Sequence, residues 1–202
     1  MRKVVFVILD RFAEWESAYL SMALLEEMEG RFSVRYASTD TGPKRSIGGL
    51  AVLPDMAVAD IPEDTDALVL IGAKGSWKEG AHGDIRALAE RFMRAGKVVA
   101  AICGAAWWLS SVGLTDGVRH TFDDPKEMDG YPAYRNPGGY VREESVRDGR
   151  VVTGNGNSPV AFAADVLRAM EAAPEDWVRE FTDFYTIGYH AAMRKYGYAA
   201  QE

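Results

Sequence analysis

The stretch KVVAAICGAAWWLSSVGL, residues 97–114, is the most informative part of the sequence. Within it, VVAAIC (98–103) is a short continuous apolar run, typical of a strand buried on both faces of a parallel sheet. The following segment, GAAWWLSSVGL (104–114), predicts a helix. Cys103, the only cysteine of the chain, stands at the turn between them. Because Gly104 and its small neighbours permit a sharp turn, the pattern resembles a nucleophile elbow.

Cys103 itself has two interpretations at this level. Reactive groups gather at the carboxyl ends of parallel strands, and a helix N-terminus favours the thiolate, so a reactive thiol of lowered pKa is one expectation. The other is an inert cysteine that packs as a small hydrophobic residue.

Two further segments end or follow predicted strands at the same edge of the sheet. In ILDRFAEWESA (8–18), Glu14 and Glu16 flank Trp15, and at most one of the two acids faces a site; both also fit a solvated first helical turn. In VLIGAKGSW (69–77), Gly72-Ala73 follows a buried strand. Small residues there allow the backbone to approach a bound group, or they form an ordinary turn.

Strands alternate with helices along most of the chain, which indicates an α/β sandwich around a mostly parallel sheet. The capping signals are Asp84 as an N-cap, Gly96 as a helix stop, and Ser158-Pro159 as a helix start. The predicted strands are VVFVIL (4–9), FSVRYAS (32–38), DALVLIGA (66–73) and VVAAIC (98–103). A hairpin is predicted over 140–154 with its turn at Asp148-Gly149, and helices over 84–97 and 160–170, with one long helix after Pro174.

Composition limits the classes of protein. With 202 residues, 48% hydrophobic and 26% charged, the chain suits one domain, or two at most. A formal net charge of −7 argues against a nucleic-acid partner and against binding to an anionic membrane. The N-terminal apolar run is too short for a secretory signal, and no stretch approaches about 18 apolar residues, so we expect a cytoplasmic protein. A single cysteine suggests neither a disulfide nor a metal site.

Taken together, these segments resemble the PfpI / Parkinsonism-associated deglycase superfamily, of the class I glutamine-amidotransferase-like fold, over most of residues 3–172. The most specific part, AICGAAWWLSSVGLTDGVRHT, resembles bacterial members of the type 1 glutamine amidotransferase-like or intracellular protease/amidase-like branch. TGNGNSPVAFAADVL (153–167) resembles the closing Gly-rich loop and helix. The resemblance implies a flavodoxin-like three-layer sandwich of residues 1–172 with helices on both faces of the sheet. It further implies a homodimer, and we expect residues 173–202 to form a helical extension packed on the same domain.

The resemblance also implies roles for site residues. Cys103 matches the nucleophile, and Glu16 matches a protonated glutamate that donates a hydrogen bond to the thiol. A carboxyl group beside a thiolate has a raised pKa because two adjacent anions disfavour each other and burial adds to the cost. The backbone of Gly72, Ala73 and Gly104 matches the oxyanion hole.

Four further side chains are predicted around this centre. His120, in RHTFDD, is the predicted assisting base, with Asp123 as the alternative partner. Trp15 and Trp77 are predicted to wall a pocket for a small or apolar substrate.

Two departures from the family pattern restrict the chemistry. Gly104 stands where the PfpI proteases carry a histidine directly after the cysteine, and the chain has no His-x-Glu pair of the glutamine amidotransferases. The prediction is therefore a cysteine-dependent hydrolase or hydratase acting on a small carbonyl, amide or isonitrile-like molecule, without metal or cofactor. The alternatives are a redox or stress sensor whose Cys103 oxidises to sulfinic acid, and a scaffold with a vestigial site.

Overall fold

The computed structural model of the chain describes residues 1–80 and 82–198. Seven strands form one sheet and two short strands pair separately. In chain order the strands are β1 (Arg2–Val7), β2 (Phe32–Ser38), β3 (Lys44–Arg45), β4 (Ala51–Val52), β5 (Met56–Ala57), β6 (Ala67–Leu70), β7 (Val98–Ile102), β8 (Ser145–Asp148) and β9 (Val151–Gly154).

The main sheet has the strand order β5-β2-β1-β6-β7-β9-β8. All neighbouring pairs are parallel except β8 and β9, which form an antiparallel hairpin at one edge. β3 and β4 form a separate antiparallel pair. The carboxyl ends of β1, β6 and β7 therefore lie side by side, which brings together the three sequence segments that carry candidate site residues.

Seven α-helices connect and cover the strands within the described residues. They are α1 (Glu14–Met22), α2 (Ser76–Glu79), α3 (Gly83–Arg94), α4 (Gly104–Ser111), α5 (Pro159–Ala169), α6 (Glu175–Thr186) and α7 (Tyr189–Tyr196). A π-helical turn, Ala23–Glu27, extends α1. Helices α1, α5 and α6 pack side by side, with α5 against β7, β8 and β9, while α3 packs on β6 and β7.

The central strands are covered on both faces. Every residue of β6 and β7 is buried, and alternate residues of a strand point to opposite faces, so both faces of the sheet carry helices. The predicted α/β sandwich with a mostly parallel sheet is thus confirmed. Because every residue of β6 and β7 is buried, the ends of these strands have a rigid support.

Three boundaries predicted from local sequence signals differ from those in the structure. His82, in a left-handed conformation, caps α3, and Asp84 lies in the first turn, where its charge still favours the helix dipole. The β8–β9 turn is Gly149-Arg150, because Asp148 already pairs with Val151. The predicted long C-terminal helix is broken at Gly188, whose φ of 90° ends one helix before α7 begins. Ser158 and Pro159 do start α5, as predicted.

Candidate active site

Cys103 forms the turn between β7 and α4 in a strained backbone conformation. Its φ of 56° and ψ of −130° lie in a region that residues with a Cβ rarely adopt, at a cost of about 1–3 kcal/mol. The surrounding chain holds it there: the Cys103 N–H donates to the Gly154 carbonyl at 2.8 Å, and its carbonyl accepts from Trp107 N at 3.1 Å. This geometry is that of a nucleophile elbow, which presents the thiol at the carboxyl end of the sheet.

Glu16, from the first turn of α1, lies beneath the elbow with only 1% of its surface exposed. Its Oε2 accepts a hydrogen bond from Gly72 N at 2.7 Å. Its Oε1 is buried and has no hydrogen-bond partner within residues 1–80 and 82–198. Burial raises the pKa of Glu16 to about 8, against the opposing effects of the Gly72 N–H and the Cys103 thiol. Glu16 is therefore protonated at neutral pH, and a carboxyl proton is available beside the thiol.

The neighbouring carboxyl, Glu14, points elsewhere. Its Oε2 accepts from Gly48 N at 3.3 Å, in the loop between β3 and β4. Hydrogen bonds to backbone N–H groups, first its own and then that of Gly48, keep the pKa of Glu14 below its usual value. Of the two acids flanking Trp15, only Glu16 reaches the thiol.

Gly72 allows β6 to approach both site residues. A Cβ at Gly72 would lie 2.6 Å from Glu16 Oε2 and 2.7 Å from Cys103 Cβ, distances that real Cβ atoms do not reach. Its N–H is already used by Glu16, so Gly72 positions the acid and does not offer a free amide for an oxyanion. The amides of Ala73 and Gly104 lie close together, since a Cβ on Gly104 would stand 3.9 Å from Ala73 N. Of the predicted oxyanion hole, the N–H groups of Ala73 and Gly104 therefore remain as candidates.

The environment of the Cys103 thiol differs from the sequence-based expectation of a lowered pKa. Burial raises the pKa of the thiol, ionisation of the adjacent Glu16 and the charge of Asp123 raise it further, and the Gly104 N–H acts in the opposite direction. One helix N-terminus does not offset burial beside two carboxyl groups.

The structure does not place His120 as a base for the thiol. Its side chain is fully buried, with Nδ1 2.9 Å from the Val118 carbonyl and Nε2 2.9 Å from the Tyr134 hydroxyl. Nδ1–H therefore donates to Val118 while Nε2 accepts from Tyr134, and both ring nitrogens are occupied. Burial lowers the pKa of His120, which keeps the ring neutral. Because neither ring nitrogen is free, the predicted role of His120 as assisting base is corrected to a structural one, in which the ring also stacks on Phe122 at 5.9 Å.

Asp123 and the Gly-rich loop cover the thiol from the other side. Gly156 N donates to Asp123 Oδ1 at 2.9 Å, and a Cβ at Gly156 would lie 2.8 Å from Cys103 Sγ. Trp15 Nε1 donates to the Gly156 carbonyl at 3.1 Å. The sequence indicates that the segment TGNGN belongs to a closing loop, but it does not single out Gly156. Only the tertiary contact shows that one glycine of that loop touches the sulfur.

The two predicted pocket tryptophans have different environments. Trp15 is 43% exposed and lies beside Gly156, which suits a side chain that lines an open pocket. Trp77 is only 2% exposed; its Nε1 donates to the Ile71 carbonyl at 2.8 Å and its ring packs on Trp108 at 4.8 Å. Trp77 thus supports the elbow from within the core and does not line an open pocket.

Residues 1–80 and 82–198 contain neither a cluster of metal ligands nor a membrane-spanning helix. No group of three or more His, Cys, Asp or Glu side chains among the described residues is arranged to hold a metal ion. None of the helices over residues 1–80 and 82–198 has both the length and the apolar character needed to cross a membrane.

The model of the DJ-1/PfpI family matches residues 2–169. The chain therefore belongs to the DJ-1/PfpI family.

Individual relatives are similar over most of their length. Among curated proteins, a Bacillus subtilis protein named uncharacterized protease YdeA is 29% identical, covering 98% of each chain. The glutathione-independent glyoxalase DJR-1.2 of Caenorhabditis elegans is 25% identical over 71% of this chain and 76% of that protein. Among solved structures, the DJ-1 superfamily protein Atu0886 of Agrobacterium tumefaciens is 34% identical, with 91% and 97% of the chains covered and a TM-score of 0.83.

Proposed function

We propose that the protein is a cysteine-dependent enzyme that adds Cys103 to the electrophilic carbon of a small carbonyl, amide or isonitrile-like substrate. The observation that carries this proposal is the arrangement of Glu16: a carboxyl group that keeps its proton at neutral pH, with one free oxygen beside a thiol on a strained elbow. A buried carboxyl without a structural partner for one oxygen costs stability, and such costs are typical of sites kept for chemistry.

Among the candidate substrates of such an enzyme, we favour small 2-oxoaldehydes. The support is a curated relative that is named a glutathione-independent glyoxalase and covers 71% of this chain. Peptide hydrolysis receives less support, although two relatives are named as proteases, because Gly104 follows the nucleophile and His120 is occupied elsewhere.

The proposed chemistry uses one proton-transfer group, Glu16, and two backbone amides. After the Cys103 thiol has released its proton to solvent, the sulfur attacks the carbonyl carbon, and negative charge develops on the carbonyl oxygen. The N–H groups of Ala73 and Gly104 hold that oxygen, and Glu16 supplies the proton that makes it a hydroxyl. The product of this step is a hemithioacetal on Cys103, and Glu16 is then a carboxylate that can accept a proton in the following step.

The redox-sensor alternative uses the same residues differently. A protonated Glu16 would donate a hydrogen bond to a Cys103 sulfinate. However, oxidation of a thiol proceeds through its thiolate, and burial together with Glu16 and Asp123 raises the thiol pKa. The same thiolate is the nucleophile in turnover, so the thiol pKa favours neither alternative, and the assay below separates them.

The test is turnover of methylglyoxal by wild type, Cys103→Ser, Glu16→Gln and the matched control Glu14→Gln. We expect the first two variants to lose at least about 100-fold in kcat/KM, and the control to keep wild-type activity because Glu14 contacts Gly48 and not the thiol. A panel of small amides and isonitriles follows under the same conditions. If wild type turns over none of these, and peroxide instead adds two oxygens to Cys103 in intact-mass spectra, the sensor alternative replaces this proposal.

A further inference from the structure

The Gly-rich loop that follows β9 is anchored at its two ends. Asn155 N donates to the Glu144 carbonyl at 2.9 Å, and Ser158 Oγ donates to the same carbonyl at 2.6 Å. Ser158 N closes the loop by donating to the Asn155 carbonyl at 3.1 Å. Because these bonds involve only the ends of the loop, other contacts have to fix its middle, where Gly156 lies.

Gly156 is held on both sides of its Cα by side chains. Its N–H donates to Asp123 Oδ1 at 2.9 Å, and its carbonyl accepts from Trp15 Nε1 at 3.1 Å. Within residues 1–80 and 82–198, these two side chains are its hydrogen-bond partners. Since the N–H and the carbonyl belong to successive peptide groups, the two bonds together restrain both backbone rotations at Gly156.

Both side chains project from well-supported backbone. Trp15 lies in the first turn of α1, directly before the buried Glu16. Asp123 follows three fully buried residues, and the N–H of one of them, Thr121, donates to Thr153 Oγ1 at 2.8 Å. The middle of the loop is therefore positioned by two separate elements of the fold.

Gly156 lies against the sulfur and the buried acid. A Cβ at Gly156 would stand 2.8 Å from Cys103 Sγ, 3.0 Å from Cys103 Cβ and 3.5 Å from Glu16 Oε1. There is thus no space for a substrate group between Gly156 and the sulfur, since one added carbon already overlaps it. An electrophile has to reach the sulfur past the edge of Gly156, where a bulky group near its reacting carbon would meet the loop.

We infer that Trp15 and Asp123 are positioning residues that fix Gly156 over the Cys103 sulfur, and that Gly156 so fixed limits substrates to electrophiles that are slim near the reacting carbon. This selection by size rests on the function proposed above and narrows its substrate class. In methylglyoxal the neighbour of the aldehyde carbon carries one methyl group, whereas in phenylglyoxal it carries a ring. The first passes the fixed loop, and the second requires the loop to move.

The size of the effect follows from where the two hydrogen bonds lie. Trp15 is 43% exposed, and Asp123 is also exposed. Each bond therefore has the net strength of an ordinary protein hydrogen bond, and its loss corresponds to about a threefold to tenfold larger population of the displaced loop. The reactivity of Cys103 toward bulky reagents should rise by the same factor, while its reactivity toward small reagents should change little.

The experiment measures access to the sulfur with two thiol reagents, the small iodoacetamide and the bulky N-phenylmaleimide. Each rate constant for Cys103 is divided by the rate constant of the same reagent with glutathione at the same pH. The size ratio is the corrected N-phenylmaleimide rate divided by the corrected iodoacetamide rate. Because both reagents consume the same thiolate, a change in the pKa of Cys103 cancels in this ratio. The ratio of kcat/KM for phenylglyoxal and methylglyoxal is measured alongside it.

Two matched sets of variants separate the hydrogen bonds from other effects. Trp15→Phe keeps an aromatic ring and removes the N–H, and its control is Trp177→Phe on α6, where the indole stacks on Phe181 at 5.5 Å. Asp123→Ala and Asp123→Asn both remove the charge, but asparagine keeps an oxygen that can accept from Gly156 N. We expect Trp15→Phe and Asp123→Ala to raise both ratios about threefold to tenfold. Asp123→Asn and Trp177→Phe should keep the wild-type ratios.

Other outcomes separate this inference from the proposed function. If wild type turns over methylglyoxal but neither Trp15→Phe nor Asp123→Ala changes the size ratio, the positioning roles are wrong and the proposed function stands. Equal increases for both reagents would mean that the site has loosened generally, which also overturns the selection by size. An equal rise in Asp123→Ala and Asp123→Asn would assign the effect to charge and remove Asp123 from the role.

Alkylation requires no turnover, so the two proposals can fail independently. If wild type turns over neither dicarbonyl while the size ratio rises as expected, the proposed function fails. The fixing of Gly156 over the sulfur by Trp15 and Asp123 would then stand as a control of access to Cys103.

Discussion

A mutation at a buried site usually destabilises a protein, but replacing Glu16 by glutamine should stabilise it relative to wild type, and the gain should grow as pH rises. The glutamine side chain has the shape of the protonated acid: its oxygen can accept from Gly72 N, and its NH2 group can face the thiol where Oε1 now lies without a partner. What the variant removes is the need to hold a proton in the folded state. We expect Glu16→Gln to fold and to become progressively more stable than wild type above pH 5.

The magnitude follows from linkage. The pKa of Glu16 is about 8 in the folded protein against an ordinary value of 4.5. Between these values the folded state holds a proton that the unfolded chain has lost, so the free energy of unfolding falls as pH rises from about 4.5 and levels off above about 8. At 1.36 kcal/mol per pKa unit, wild type should lose about 3.5 kcal/mol between pH 5 and pH 8 from this group. The glutamine variant has no such loss.

The assay is urea unfolding of wild type, Glu16→Gln and Glu14→Gln at pH 5, 6, 7 and 8. Subtracting the wild-type free energy of unfolding at each pH leaves only the contribution of the replaced carboxyl. The Glu16→Gln difference should rise by about 3.5 kcal/mol across the range. The pKa of Glu14 is lowered, so its stabilising effect is lost only below its usual range, and that difference should stay flat. A Glu16→Gln difference that varies by less than about 1 kcal/mol would refute the protonated acid and the mechanism built on it.

Three further substitutions test other contacts of the site. Gly72→Ala should destabilise the protein by about 1–3 kcal/mol in urea unfolding, because its Cβ would overlap Glu16 and Cys103. An unchanged unfolding midpoint would mean that Gly72 is not so close to these two side chains. Gly156→Ala should slow Cys103 alkylation at least tenfold, since the added Cβ would lie 2.8 Å from Sγ, whereas Gly117→Ala, where the space is open, should not; equal rates would place the loop away from the sulfur. Tyr134→Phe should cost about 1–3 kcal/mol by leaving His120 Nε2 without its donor, yet leave Cys103 alkylation unchanged; altered alkylation would return His120 to the site.

Most of the fold was predictable because its signals are local. The continuous apolar runs of β6 and β7 specify strands buried on both faces, and the structure places those strands at the centre of the sheet. Predictions failed where one residue decides a boundary: Gly188 breaks the C-terminal helix, and the hairpin turns one residue later than its Asp-Gly signal suggested. Boundaries depend on capping and pairing partners that lie outside the local pattern.

The candidate site was predictable in part. The order of segments along the chain placed Cys103, Glu16 and Gly72 at adjacent strand ends, because parallel strands bring their carboxyl ends to one edge. The role of His120 was not predictable, since it depends on whether a ring nitrogen is free, and Tyr134 and Val118 occupy both. The importance of Gly156 was equally hidden, because a glycine in a loop has no side chain to suggest its neighbour.

The sequence by itself determined the class of fold, the position of the nucleophile and the small residues that let the chain turn around it. These depend on hydrophobic periodicity and on backbone freedom, both of which are properties of short segments. Only the tertiary structure decided the protonation of the site. Glu14 and Glu16 are the same residue type two positions apart, yet Gly48 holds one near the surface and the core encloses the other beside Cys103. A pKa is set by burial and by neighbouring charges, and both exist only once the chain has folded.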